Sequence, residues 1–324
     1  MKVKTFAIAF VASAMMVQAA GAEDYPTRPV TLIVPFAAGG PSDAITRLIA
    51  DRLGNQLGQR FIIQNIGGGG GTIGTSRVVQ ATPDGYTLLS HHIGLSTTPA
   101  LYKSLPFDPL KDLADVGLFA EAPMAIVARK DFPPNTLEEF IAYLREKQDK
   151  IAYASAGIGG ASFLCGLFLA QRINVKFTNV PYVGTGPAYT DLLAGRTDVM
   201  CDLTTGNNDY VEGGQLKGYA LAADQRLSTM PKIPTTAEAG LTNFTVSVWY
   251  GLYAPAKTPA PIIERLSKAL QVVMQDKLVA ERLATTGTTL VKPEQATPAA
   301  LHQRLKEQIE LWTPIIGQSG VSVD

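Results

Sequence analysis

The sequence predicts an α/β protein of two lobes joined by a hinge, with a cleft between them. Three observations carry that expectation. Short apolar runs end in glycine turns that lead straight into helices, first at Val30-Thr31-Leu32-Ile33-Val34 with Gly39-Gly40 and again at Ile151-Ala152-Tyr153-Ala154 with Gly159-Gly160. Strands of this kind are buried on both faces, as in parallel sheets, and their carboxyl-end loops are where open α/β sheets bind ligands. The last segment, from Trp249, returns to complete the first lobe, so the chain crosses between lobes twice. The expected division is an export signal over residues 1–22, a first lobe of 23–122 plus 246–324, and a second lobe of 123–245.

The elements follow in order. After Val30–Val34, Gly39-Gly40 permits a sharp turn, and Ser42 or Asp43 is placed to cap a helix through Ile45-Thr46-Arg47-Leu48. Free N–H groups at that helix start suit a carboxylate or phosphate. Phe61-Ile62-Ile63-Gln64-Asn65 reads as a second strand leading through five glycines, Gly67 to Gly71, into a helix. Thr87-Leu88-Leu89-Ser90 reads as a third strand, ending at His91-His92. Separate strands are expected at Val116–Phe119 and Met124–Arg129, then an amphipathic helix over 137–144 capped by Thr136. The strand–turn–helix theme then restarts at residues 151, 178 and 198. Helices close the chain over 262–274 and 299–312.

Composition bounds the function. Lys plus Arg equals Asp plus Glu at 28 each, so no broad positive surface recruits nucleic acid or anionic lipid, and any anion site must draw on local dipoles. Met1-Lys2-Val3-Lys4, an apolar run over 6–17 and Ala20-Gly21-Ala22 have the form of a cleaved export signal. The mature chain is therefore expected to start at Glu23 and to be periplasmic and soluble, without a lipid anchor, membrane insertion or a nucleic-acid partner. Cys165 falls in a helical pattern and Cys201 in a strand-like run, and two buried free thiols are favoured over a disulfide.

Catalytic signatures are weak. Gly69-x-Gly71-x-x-Gly74 matches a dinucleotide fingerprint, but Ser90-His91-His92 stands where its acidic partner belongs. No Gly-x-Ser-x-Gly elbow or P-loop occurs, and no Cys/His spacing resembles a zinc site. Neither a cofactor nor a metal is expected, nor an enzyme. Adjacent strand residues face opposite ways, so one of His91 and His92 should face the cleft, there to donate to a ligand carboxylate. Phe36 and Phe163 flank the two glycine turns. For Asp43 and Asp202 three roles stand open: capping a helix, orienting water or receiving a ligand amine.

Several motifs together carry a resemblance. Tyr25-Pro26-Thr27-Arg28-Pro29-Val30, the run Val34-Pro35-Phe36-Ala37-Ala38-Gly39-Gly40-Pro41-Ser42-Asp43, Pro83-Asp84-Gly85-Tyr86, Val180-Pro181-Tyr182 with Gly184, and Pro234-Thr235-Thr236-Ala237-Glu238-Ala239-Gly240 resemble the Bug/TctC substrate-binding proteins of tripartite tricarboxylate transporters. The resemblance implies a type II periplasmic binding-protein fold. It also implies a monomer that delivers a small carboxylate to a membrane permease. Carried over residue by residue, it implies ligand contacts from Phe36, Ala38, Gly39, Ser42 and Asp43, with Ile73 and Gly74 nearby. The other lobe would contribute Ser155, Ala156, Gly157 and Gly159, with Gly184, Thr185 and Asp202. His91-His92, Gly160 and Phe163 depart from the family pattern. A pocket of Phe36, Phe163 and a histidine suits a flat ring, so an aromatic dicarboxylate such as terephthalate is expected ahead of an aliphatic di- or tricarboxylate. The rival classes are an exported enzyme and a ligand sensor that signals through a partner.

Overall fold

The computed structural model describes residues 25–323, so the export signal and its cleavage at Ala22 lie outside the described residues. A first βαβαβ unit comprises β1 (Val30–Val34), α1 (Pro41–Leu57), β2 (Phe61–Asn65), α2 (Thr72–Val79) and β3 (Thr87–His92). In it β1 pairs in parallel with both β2 and β3. A short helix α3 (Thr98–Leu101) leads to β4 (Leu113–Arg129). The second unit holds α4 (Leu137–Lys147), β5 (Ala152–Ser155), α5 (Ala161–Ile173), β6 (Thr178–Pro181), α6 (Thr185–Leu193), β7 (Val199–Leu203), α7 (Thr204–Glu212) and β8 (Leu216–Leu221). Here β5 pairs in parallel with β6 and β7. The chain closes with β9 (Ser247–Pro255), α8 (Ala260–Val273), α9 (Lys277–Ala284), β10 (Thr289–Leu290) and α10 (Pro298–Ser319). The two-lobed α/β architecture predicted from the repeated strand–turn–helix pattern is the one observed.

The strand order is β2-β1-β3-β9-β4-β7-β5-β6, with β8 and β10 also on β4. The two strands expected at Val116–Phe119 and Met124–Arg129 are one continuous strand. Its first part, Leu113 to Pro123, pairs antiparallel with β9, and its second part, from Met124, pairs antiparallel with β7 and β8. Pro123 stands where the partners change. A residue without an N–H is tolerated at such a break in the ladder. β9 slots between β3 and β4, so the late segment lies in the same half of the sheet as β1 to β3. Burial follows the apolar runs: Val30, Leu32, Ile33 and Val34 are all shielded, as is every residue of β7.

Two local expectations are corrected. Cys165 and Cys201 form a disulfide, with Cα atoms 5.8 Å apart, rather than two free thiols. Helix α5, which carries Cys165, packs on β7, a proximity between positions 36 residues apart that sequence spacing does not reveal. Helix α1 is not capped by Ser42 or Asp43. It starts at Pro41 with Gly40 as the capping residue, and no side chain caps it. Thr136 does cap α4, its hydroxyl accepting from the Glu139 N–H at 3.2 Å. Among the described residues no helix is long and apolar enough to cross a membrane.

Candidate functional site

The turns after β1, β5 and β6 each end in a glycine that caps a helix: Gly40, Gly160 and Gly184. A helix start leaves its first N–H groups without intrahelical partners and carries the positive end of the dipole. The starts of α1, α5 and α6 converge on one cavity of about 180 Å³ between the lobes. Pro41 and Ser42 line it from α1, Ala161 and Ser162 from α5, and Thr185, Gly186 and Pro187 from α6, with Asp202 and Leu203 at the end of β7. No Lys or Arg is among the lining residues, so an anion there would rely on backbone dipoles and neutral donors.

Asp43 holds the first turn together. Its carboxylate accepts from the Gly39 N–H at 2.8 Å, from Arg47 Nε at 2.9 Å and from Asn65 Nδ2 at 3.0 Å. Burial pushes this carboxyl up, but Arg47, Gly39 and Asn65 outweigh it and hold it below the ordinary range. With its oxygens so occupied, Asp43 faces the turn and not the cavity, where it had been expected to meet ligand. In the second lobe Ser162 Oγ accepts from the Ala156 N–H at 2.7 Å, so that hydroxyl keeps its own proton free to donate.

His92 lines the cavity and His91 does not. The His92 ring stacks on Phe36 with centroids 4.3 Å apart, and its Nδ1 accepts from the Gly94 N–H at 2.9 Å. That bond places the proton of the neutral imidazole on Nε2, leaving a donor. His91 lies behind, edge-on to Phe36, with Nε2 buried against Gly71. Burial lowers both imidazoles, His91 to about 4 and His92 well below its ordinary value, so both are neutral near pH 7.

Of the expected contacts, the cavity brings together Phe36, Ala38, Gly39, Ser42, His92, Ala156, Gly184, Thr185 and Asp202. It does not include Asp43, Ile73, Gly74, His91, Ser155, Gly157, Gly159 or Phe163. Gly157 and Gly159 serve the turn itself, with φ of +114° and +83°, conformations open to glycine. Phe163 instead faces a separate groove of about 540 Å³ that also holds Tyr153, Phe177 and Ile315. Phe36 and Phe163, expected to share one ring slot, thus line different cavities. Ser162 and Ala161, which do line the cavity, were legible: Gly39-Gly40-Pro41-Ser42-Asp43 and Gly159-Gly160-Ala161-Ser162-Phe163 occupy equivalent turns. In that register Phe163 matches Asp43, and both side chains point away from the cavity.

Among the described residues no three His, Cys, Asp or Glu side chains gather as metal ligands. Comparison with known proteins points the same way as the geometry. Residues 45–321 match the model of the tripartite tricarboxylate transporter family receptor. A protein from the TAR-I ttuE-ttuC' intergenic region of Agrobacterium vitis is 43% identical, covering 92% of this chain and 86% of that one. The periplasmic binding protein BugD superposes with a TM-score of 0.87 at 42% identity, covering 92% of this chain and 99% of that one. MatC from Rhodopseudomonas palustris, solved with bound malate, gives 0.86 at 40% identity, covering 90% and 100%.

Proposed function

We propose, from the premise that this chain belongs to the tripartite tricarboxylate transporter receptor family, that it is an exported, monomeric receptor whose interlobe cavity captures a small dicarboxylate and presents it to a membrane permease. The observation that carries the reading is the convergence of three helix starts on one cavity without a basic side chain. Desolvating a carboxylate is costly unless each oxygen meets donors. Here the donors are the first-turn N–H groups of α1, α5 and α6, the Ser42 and Ser162 hydroxyls and His92 Nε2. The role is binding rather than catalysis, because capture needs only these fixed donors and a cleft that closes.

A cavity of about 180 Å³ is smaller than the roughly 300–1,000 Å³ that holds drug-sized molecules. With Phe163 outside it and His92 already stacked on Phe36, we place a short aliphatic dicarboxylate ahead of terephthalate. The malate in the neighbouring MatC structure supports that order. Phe36, which still lines the cavity, is what favours the aromatic alternative. Calorimetric titration with malate, succinate, adipate, citrate and terephthalate tests the reading. Binding of malate or succinate tighter than of terephthalate is expected. Preference for terephthalate would reverse the ligand class, and no binding by any of the five would remove the function.

The two histidines should separate in the same assay. His92→Ala removes one neutral donor and the cover over Phe36, and is expected to weaken dicarboxylate binding by about 1 kcal/mol, or roughly fivefold. His91→Ala should leave affinity within twofold, because its ring lies behind Phe36. Equal losses for both variants would show that His91 meets the ligand as His92 does.

A further inference from the structure

We propose that ligand capture in this cavity is coupled to proton uptake at Asp202, so that the receptor binds a dicarboxylate together with one proton. The inference rests on the reading of the cavity as a dicarboxylate site. Asp202 is the one acidic side chain on a wall otherwise built of helix starts, small residues, Phe36 and His92. It is 2% exposed, and one carboxyl oxygen accepts from the Tyr189 hydroxyl at 3.1 Å.

The groups facing Asp202 offer no compensating charge. They are Tyr189 of α6, Tyr153 of β5, Tyr250 of β9, Asn207 of α7 through the Asp202 main-chain carbonyl, and His92 on the same cavity wall. Burial drives all three phenols above their ordinary range and His92 well below its own, so none carries a charge near pH 7. The adjacent Cys201 is tied in the disulfide and does not titrate. Burial alone, only partly offset by the Leu203 N–H and Tyr189, pushes Asp202 up to about 7.

A dianion held in the same cavity with no cation between would face a second negative charge if Asp202 stayed ionised. The complex therefore holds the Asp202 proton more tightly than the empty cavity does. By reciprocity, the protonated receptor holds the dicarboxylate more tightly. Protonated Asp202 also turns from acceptor to donor, giving the ligand one further O–H. The sign follows. Well below pH 7 the empty receptor already carries the proton and affinity is flat. Above it each ligand must bring a proton, and affinity falls by about tenfold per pH unit for a single linked proton. Ordinary carboxyl groups of the ligand are ionised throughout this window.

Calorimetry of the unsubstituted protein with malate, adipate and terephthalate, each from pH 6 to 9, tests the coupling. Paired buffers of different ionisation heat count the protons directly. Expected are affinity that is flat well below pH 7 and turns downward through it, a decline approaching tenfold per unit above that range while the complex keeps its proton, and uptake there approaching one proton per ligand. Asp202→Asn should flatten the profile and abolish the uptake. Measurable binding with no pH dependence and no buffer-dependent heat would overturn the coupling while leaving the dicarboxylate reading intact. So would affinity that rises with pH, or a slope that persists in Asp202→Asn. Failure of all three probes to bind at any pH would overturn both.

Discussion

Gly70→Asn is expected to weaken dicarboxylate binding by at least tenfold, about 1.4 kcal/mol, with little change in melting temperature. Gly70 follows β2 in the first lobe with φ of +60°, a left-handed conformation that asparagine tolerates better than other side chains. A Cβ there would lie 2.5 Å from the Ile158 carbonyl oxygen, which belongs to the turn after β5 in the second lobe. The new side chain therefore opposes the approach of the lobes rather than the folding of either. The other conflict, within its own lobe, with the Tyr102 hydroxyl at 2.8 Å, falls on the movable end of a side chain. Gly184 makes a similar close approach, its Cβ position lying 3.3 Å from Ala37 Cβ across the cavity. Calorimetry and a thermal melt on the same sample check the prediction. An unchanged affinity would mean that the ligand does not require the lobes to meet at Gly70 and Ile158.

Replacing both Cys165 and Cys201 by alanine is expected to cost about 3–4 kcal/mol of stability. A disulfide closing a loop with a separation of 36 residues removes that much chain entropy from the unfolded state. At roughly 2–4 °C per kcal/mol for a protein of this size class, the melting temperature should fall on the order of 10 °C. A binding loss should accompany it. Cys165 lies one helical turn beyond Ser162 on α5, and Cys201 adjoins Asp202 on β7, so the bridge fixes two walls of the cavity relative to each other. An unchanged melting temperature would show that the two thiols are unpaired in the folded protein.

Local structure was legible where one segment decides it. The apolar run Val30–Val34, the glycine turns and the Thr136 cap depend on neighbours in sequence, and they appear as expected. The cavity was legible as a pair of equivalent strand–turn–helix junctions. What sequence missed depends on long-range packing. Only the pairing of β4 with β9, and then with β7 and β8, shows that the segments around Phe119 and Met124 form one strand. Only the packing of α5 on β7 brings Cys165 to Cys201. From sequence, Phe163 stands at a strand–turn–helix junction, which places it with the ligand. Yet Phe163, the third residue of α5, lies outside the cavity, as does Asp43, the third residue of α1, while the first two residues of each helix line it. The histidines were legible only as a choice between two, and the stack on Phe36 resolves it in favour of His92.

The most direct measurement is a crystal structure of the protein grown with malate. Density is expected in the cavity between Gly40, Gly160 and Gly184, with carboxylate oxygens about 2.7–3.2 Å from first-turn N–H groups of α1 and of at least one of α5 and α6. Malate seated instead in the groove beside Phe163 and Ile315, or bound through basic side chains away from the helix starts, would contradict it.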